Sequence, residues 1–205
     1  MKKKDLEVLL SQFQSFVQPQ VKLEQYQTPS SLAADLLWDA YQKGNIQGKT
    51  LADFGCGTGI FGLGALFLGA KKVFFVDIDA RALALAKQNL AFLERYLHVK
   101  LSVSFHCGSL SSFTQKVDVV FQNPPFGTKD VHADQVFLEK ALGSADLVYS
   151  FHKFSTKKFV ESFAEKRGFK IVEVYQYTFP LKAQFYFHTS RVKNIDVGCW
   201  CFKKN

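Results

Sequence analysis

The spacing of apolar residues switches repeatedly between a period of two and a period near 3.6, the signature of strands alternating with helices around a mostly parallel sheet. Helical spacing runs over Leu6–Phe16 and again over Ser30–Tyr41, where Thr28-Pro29 suits a helix start. Thr50–Phe54 predicts the first core strand, followed by a glycine-rich turn and a helix from about Ile60 to Leu68. Val73–Val76 predicts a second strand ending at Asp77, and Ala80–Leu97, rich in Ala and Leu with no breaker, predicts a long helix. Val99–His106 alternates apolar and polar residues, which predicts a strand at the sheet edge with one polar face. Val117–Phe121 predicts a buried strand, Val136–Leu142 a helix and Ala145–Ser150 another strand. Ser155 or Thr156 caps a helix to Lys166 that Gly168 ends, and Phe169–Thr178 and Val192–Phe202 predict a final antiparallel pair joined through the loop containing Pro180. The expected fold is a doubly wound α/β domain.

Composition bounds this picture. No linker or compositional break divides the 205 residues, so residues 1–205 are expected to form one domain, with residues 1–45 a helical segment and loop ahead of the first strand. Apolar runs such as Ile60–Ala70 are too short to span a bilayer, and the start Lys2-Lys3-Lys4-Asp5 does not resemble a signal peptide, which predicts a cytoplasmic protein. Cys56, Cys107, Cys199 and Cys201 form no CxxC pair and no zinc-spaced cluster, so they read as reduced, mostly buried thiols with no metal site. The charge is lopsided: residues 1–150 carry 15 basic and 14 acidic side chains, and residues 151–205 carry 11 and 4. A basic last quarter suits a polyanion such as RNA, although a solvated basic face gives the same count.

Two motifs carry chemistry. At the end of Val117–Phe121 the chain runs into Asn123, Pro124, Pro125 and Phe126, which pairs an amide side chain with two residues that stop a ladder and an aromatic face. A planar amino group can give its hydrogens to Asn123 and a neighbouring carbonyl while its ring stacks on Phe126; a plain Pro-Pro turn is the alternative. The second motif is Asp53-Phe54-Gly55-Cys56-Gly57-Thr58-Gly59, where glycines let a ligand approach the backbone at a strand-to-helix turn. Asp77, 18 residues after Gly59, is placed to accept both hydrogen bonds of a ribose diol. Gly57, Gly59 and Gly62 also satisfy GxGxxG, the dinucleotide fingerprint. Asp53 argues against a pyrophosphate and suits the ammonium and sulfonium charges of S-adenosylmethionine, with Ile78 offering an apolar face to adenine.

These stretches resemble class I amino-methyltransferases of the Asn-Pro-Pro-Phe/Tyr type. Leu23-Glu24-Gln25-Tyr26-Gln27-Thr28, Asn123 to Lys129, and Val148-Tyr149-Ser150-Phe151-His152-Lys153 further resemble the archaeal and eukaryotic small-subunit rRNA adenine-N6 methyltransferases, over about residues 20–200. The resemblance implies a Rossmann-like domain with a seven-stranded, mostly parallel sheet, helices on both faces and a C-terminal antiparallel pair. It implies S-adenosylmethionine held by Gln25, Tyr26, Thr28, Asp53, Gly55, Cys56, Gly57, Thr58, Gly59, Asp77, Ile78, Gly108, Ser109 and Asn123. In the family an acid reaches the cofactor's adenine from the third strand; here His106-Cys107-Gly108-Ser109 puts Gly108 in its place, which predicts weakened cofactor affinity.

Asn123, Pro124, Pro125 and Phe126 are then the catalytic turn for an adenine flipped out of RNA. Lys129, His152 and Lys153 are expected to contact RNA, with Lys157, Lys158, Arg191 and His188 as weaker candidates. The resemblance also implies a small zinc-binding activator protein paired with the edge strand Val99–Phe105. Two other readings keep the cofactor pocket: a glutamine-N5 methyltransferase acting on a release factor, and a non-catalytic RNA-binding or assembly factor. A pyridine-nucleotide oxidoreductase is a more distant one.

Overall fold

A computed structural model describes residues 2–16, 19–20, 24–25, 27–126, 133–182 and 192–205. Its elements, in chain order, are α1 (Lys3–Ser11), α2 (Ser30–Gln42), β1 (Thr50–Phe54), α3 (Ile60–Phe67), β2 (Lys72–Asp77), α4 (Ala80–Leu97), β3 (Val103–Cys107), β4 (Val117–Gln122), α5 (Ala133–Ser144), β5 (Ala145–Lys153), α6 (Lys157–Glu165), β6 (Phe169–Lys182) and β7 (Val192–Lys204). The seven strands form one sheet in the order β3-β2-β1-β4-β5-β7-β6. β1 to β5 are parallel, and β7 runs antiparallel between β5 and β6. This is the Rossmann-like arrangement the sequence implies. No helix among the described residues is long and apolar enough to cross a membrane.

β1 and the end of β4 are buried on both faces, as strands covered by helices on each side must be. One layer of the core gathers side chains from α1 to α4 with Leu51, Phe75, Phe121 and Tyr149; the other gathers α5 and α6 with Phe54, Val120, Val148 and Trp200. Aromatic stacking brackets the end of β4, with Phe121 and Tyr149 rings 4.7 Å apart and nearly parallel. Gly62 is a close-approach position, since a Cβ there would lie 2.3 Å from Phe75 Cε1; its absence lets α3 seat directly on β2.

Strand order reverses between β1 and β4, so the crevice at their carboxyl ends is where a ligand binds in such sheets. Both chemical motifs sit there.

Three expected elements differ. Pro180 stands inside β6, paired with Asn194 of β7, rather than in the loop joining the two strands. The first helix covers Lys3–Ser11 rather than Leu6–Phe16. Past it the Gln14 backbone is captured by Asn89 of α4, whose Oδ1 accepts from Gln14 N at 2.7 Å and whose Nδ2 donates to Gln14 O at 3.1 Å. Those bonds replace the intrahelical ones, and Phe13 packs edge-on against Phe92. The edge strand begins at Val103 rather than Val99 because Glu94 folds the preceding chain back onto α4, accepting from Leu101 N at 3.1 Å and from Lys100 Nζ at 2.7 Å.

Candidate active site

The turn after β1 is built on β2. Gly55 N and Cys56 N both donate to Val76 O, at 2.8 and 3.1 Å, and Gly55, Gly57 and Gly59 all adopt positive φ. Asp53 is buried beneath the turn, where Oδ2 accepts from Gly62 N at 2.8 Å. Burial pushes its carboxyl up to about 7, against the pull of the Gly62 amide and reinforced by the nearby Asp77 charge. Asp77 accepts from Gly57 N at 2.8 Å and from Asp79 N at 2.9 Å. Burial raises its carboxyl as well, with those amides opposing. Two carboxylates in a desolvated crevice make a site that gains from a cation.

Asn123 leaves β4 toward the same crevice. Its Nδ2 donates to Thr28 Oγ1 at 3.1 Å, and its Oδ1 is buried with no hydrogen-bond partner among the described residues. The amide is therefore held with its acceptor free. Phe16, Thr28, Asp53, Gly55, Thr58 and Asn123 are among the residues that line one cleft, whose volume is about 40 Å³. A ligand site is typically about 300–1,000 Å³. Phe16 fills part of the difference, with its ring against the Gly57 backbone; a Cβ on Gly57 would lie 3.2 Å from Phe16 Cζ.

The segment ahead of α2 covers this crevice through contacts the sequence does not advertise. Gln20 and Gln25 both donate from Nε2 to Asp79 Oδ2, at 2.7 and 2.8 Å. Burial works against the Asp79 charge, but Gln25, the Arg81 amide and Gln20 together hold its carboxyl below the usual range. Glu24, buried and at φ 47°, accepts from Phe126 N at 2.8 Å.

Of the expected cofactor residues, Thr28, Asp53, Gly55, Cys56, Gly57, Thr58 and Asn123 meet at the cleft, with Gly59 and Asp77 in the walls behind it. Ile78 is 62% exposed, an apolar face open beside the β2 end. Ser109 is already engaged: its hydroxyl accepts from Ser111 N at 3.3 Å and lies 2.9 Å from Ser111 Oγ, while Gly108 N donates to Asp77 O. Gln25 reaches Asp79 at the rim rather than the cleft. Tyr26 and Lys129, with His188 and Arg191, lie outside the described residues.

Two expectations are corrected. Phe126 is buried rather than open at the mouth, because the segment containing Glu24 lies over the turn. His152 is 1% exposed and cannot reach a phosphate from there; Trp200 of β7 packs edge-on against its ring. Lys153, the next residue, stays partly exposed at the carboxyl end of β5.

Residues 31–146 match the methyltransferase small domain family. That is the class the sheet order, glycine turn and paired strand ends define. Within it, the chain is 34% identical to the zebrafish (Danio rerio) rRNA N(6)-adenosine-methyltransferase METTL5, with 96% of each chain covered. It is 33% identical to Drosophila melanogaster Mettl5, over 99% of this chain and 97% of that one. The crystal structure of Pyrococcus horikoshii PH1948 superposes with a TM-score of 0.90 at 39% identity, covering 100% of this chain and 98% of that one. The chain belongs to the METTL5-type rRNA N(6)-adenosine-methyltransferase family.

Proposed function

We propose that this protein transfers a methyl group from S-adenosylmethionine to adenine N6 of ribosomal RNA, small-subunit RNA in particular, in the cytoplasm. The observation that carries the reading is Asn123: its Nδ2 is tied to Thr28, and its buried Oδ1 has no partner among the described residues, at the carboxyl end of β4. Adenine N6 is a poor nucleophile because its lone pair is delocalised into the ring. Asn123 Oδ1 and the Pro124 carbonyl accept its two hydrogens, which favours tetrahedral geometry at nitrogen and aims the lone pair. No strong base is needed, since the surplus proton leaves to solvent once the new bond has formed.

When bound, S-adenosylmethionine supplies the methyl as a good electrophile on sulfonium. Gly55 to Gly59 bring backbone against it, Asp77 takes the ribose hydroxyls, and Asp53 and Asp77 set a negative field that suits its cationic groups. Phe126 stacks on the flipped base once the Glu24 segment yields, and Lys153 contacts RNA phosphate. The exposed edge of β3 is the surface we assign to a small zinc-binding activator protein, over a shorter span than Val99–Phe105. Transfer of labelled methyl to small-subunit rRNA, with the product nucleoside identified after digestion, tests the reading. N6-methyladenosine is the expected product, and Asn123→Ala is expected to abolish it while cofactor binding persists. Methylation of a glutamine in a release factor instead would refute it.

A further inference from the structure

Behind the acceptor turn, on the sheet face covered by α5 and α6, a polar chain runs through four side chains, three of them buried. Gln122 Nε2 donates to Ser150 Oγ at 2.8 Å, Ser150 Oγ lies 2.7 Å from His152 Nε2, and His152 Nδ1 lies 3.8 Å from Asp134 Oδ2. Gln122 and Ser150 are 0% exposed and His152 is 1% exposed, in a layer otherwise made of residues such as Phe54, Val120, Val148 and Trp200. The chain is not fully satisfied, since Gln122 Oε1 and His152 Nδ1 have no hydrogen-bond partner among the described residues. Packing alone gains more from apolar side chains at these positions than from a half-satisfied network.

The ends of the chain give it a purpose. Gln122 immediately precedes Asn123, and Asp134 lies in the first turn of α5, where the chain returns from the acceptor turn. One imidazole thus stands between the two places where the backbone leaves and re-enters regular structure around Asn123–Phe126, hydrogen-bonded toward the first and facing the Asp134 carboxylate of the second across 3.8 Å. The donors also have an order. An ionised Asp134 favours the proton on His152 Nδ1, so Nε2 accepts from the Ser150 hydroxyl, whose oxygen in turn accepts from the Gln122 amide. Asp134 is held below the usual carboxylate range chiefly by His152, and burial holds His152 below its own usual range despite Asp134; both fit a neutral imidazole beside a carboxylate. That order fixes which way the Gln122 amide faces.

We propose that His152, linked to Ser150 and Asp134, is a positioning residue that sets the backbone at Gln122–Asn123 for methyl transfer. The inference rests on Asn123 as the residue that orients the methyl acceptor. Ser150→Ala and Asp134→Asn, made singly and together in the full chain, break the relay on either side of the imidazole. Each is assayed with labelled S-adenosylmethionine and unmodified small-subunit rRNA beside Asn123→Ala, with cofactor Kd from calorimetry. Each single variant is expected to lower kcat about 10- to 100-fold, the scale of loss that a misplacement of about 1 Å produces. The KM for RNA and the cofactor Kd are expected to stay within about threefold, because the cofactor cleft lies on the other side of β4. The double variant is expected to lose no more than about threefold beyond the weaker single, as residues acting through one unit do. Single variants with kcat within about twofold of wild type overturn the proposal. So do losses that multiply in the double variant, or losses matched by parallel falls in Tm and cofactor affinity. Full activity in Asn123→Ala removes the underlying assignment; an inactive Asn123→Ala with active Ser150→Ala and Asp134→Asn overturns the relay alone.

Discussion

Replacing Asp53 with asparagine exposes the cost of keeping a carboxyl under the glycine turn. In wild type the group titrates near 7, against an ordinary value of 3.8. A folded-state pKa above the unfolded one means the native state holds the proton more tightly. The stabilisation is complete below about pH 4, is lost as pH rises, and is gone once pH passes about 7. At 1.36 kcal/mol per unit the whole loss is on the order of 4 kcal/mol, and the part falling between pH 5.5 and pH 8 is about 2 kcal/mol. Asp53→Asn does not titrate. It keeps an acceptor for Gly62 N, and its buried NH2 adds a penalty independent of pH, roughly 1–3 kcal/mol. The absolute stabilities are therefore uninformative, and the change of the difference with pH isolates the charge. Urea unfolding of both proteins at pH 5.5 and 8 is expected to show the variant gaining about 2 kcal/mol on wild type at the higher pH. Asp77, also raised, loses its repulsion in the variant and pushes the same way. A difference constant to within about 0.5 kcal/mol would refute the buried, titrating Asp53. The same group predicts a linked proton: near pH 7 wild type carries about half a proton there, which a cationic ligand expels. Cofactor binding enthalpies are then expected to differ between phosphate and Tris buffers in wild type and to agree in Asp53→Asn.

Thr28→Val replaces the hydroxyl that accepts from Asn123 Nδ2 with a methyl group of nearly the same size, at a residue 5% exposed; kcat is expected to fall about tenfold with the fold intact, and an undiminished kcat would detach Thr28 from the chemistry. Gly62→Ala drives a Cβ to 2.3 Å from Phe75 Cε1 and 2.9 Å from Val73 Cγ1. Its urea midpoint is expected to drop by an amount equivalent to about 1–3 kcal/mol, and an unchanged midpoint would show that α3 and β2 separate freely. Lys153→Gln is expected to weaken rRNA binding uniformly and to reduce the slope of log K against log salt by about 0.9, whereas an unaltered slope means that Lys153 touches no phosphate.

The order of elements was readable because buried parallel strands leave near-continuous apolar runs, and glycines or acids mark their carboxyl ends. Asp53 to Gly59, Asp77 and Asn123 were legible for the same reason: each stands at a strand end where the chain must turn. What escaped was decided by side chains far away in sequence. The end of α1 depends on Asn89, 75 residues on from Gln14. The start of β3 depends on Glu94 reaching forward to Lys100 and Leu101. His152 beside Lys153 reads as a basic pair, and only Trp200 from β7 and Asp134 from α5 turn it inward. Phe126 follows two prolines and reads as an exposed face until Glu24, 102 residues earlier, accepts its amide.

Described residues between α1 and α2 touch both halves of the site at once. Phe16 lies on Gly57, and Gln20 and Gln25 bind Asp79 on the cofactor side; Thr28 holds Asn123 and Glu24 holds Phe126 on the acceptor side. A cleft of about 40 Å³ does not admit a nucleoside unless some of these contacts give way. Phe16 lines the cleft with its ring against the Gly57 backbone, and its contacts are apolar with no fixed direction, so they yield and re-form at small cost. Those to Asp79, Asn123 and the Phe126 amide are directional hydrogen bonds, the last of them buried, and losing them leaves polar groups unpaired. Cofactor entry is therefore cheapest by moving Phe16 while Thr28 stays on Asn123, which keeps the acceptor amide oriented before RNA arrives.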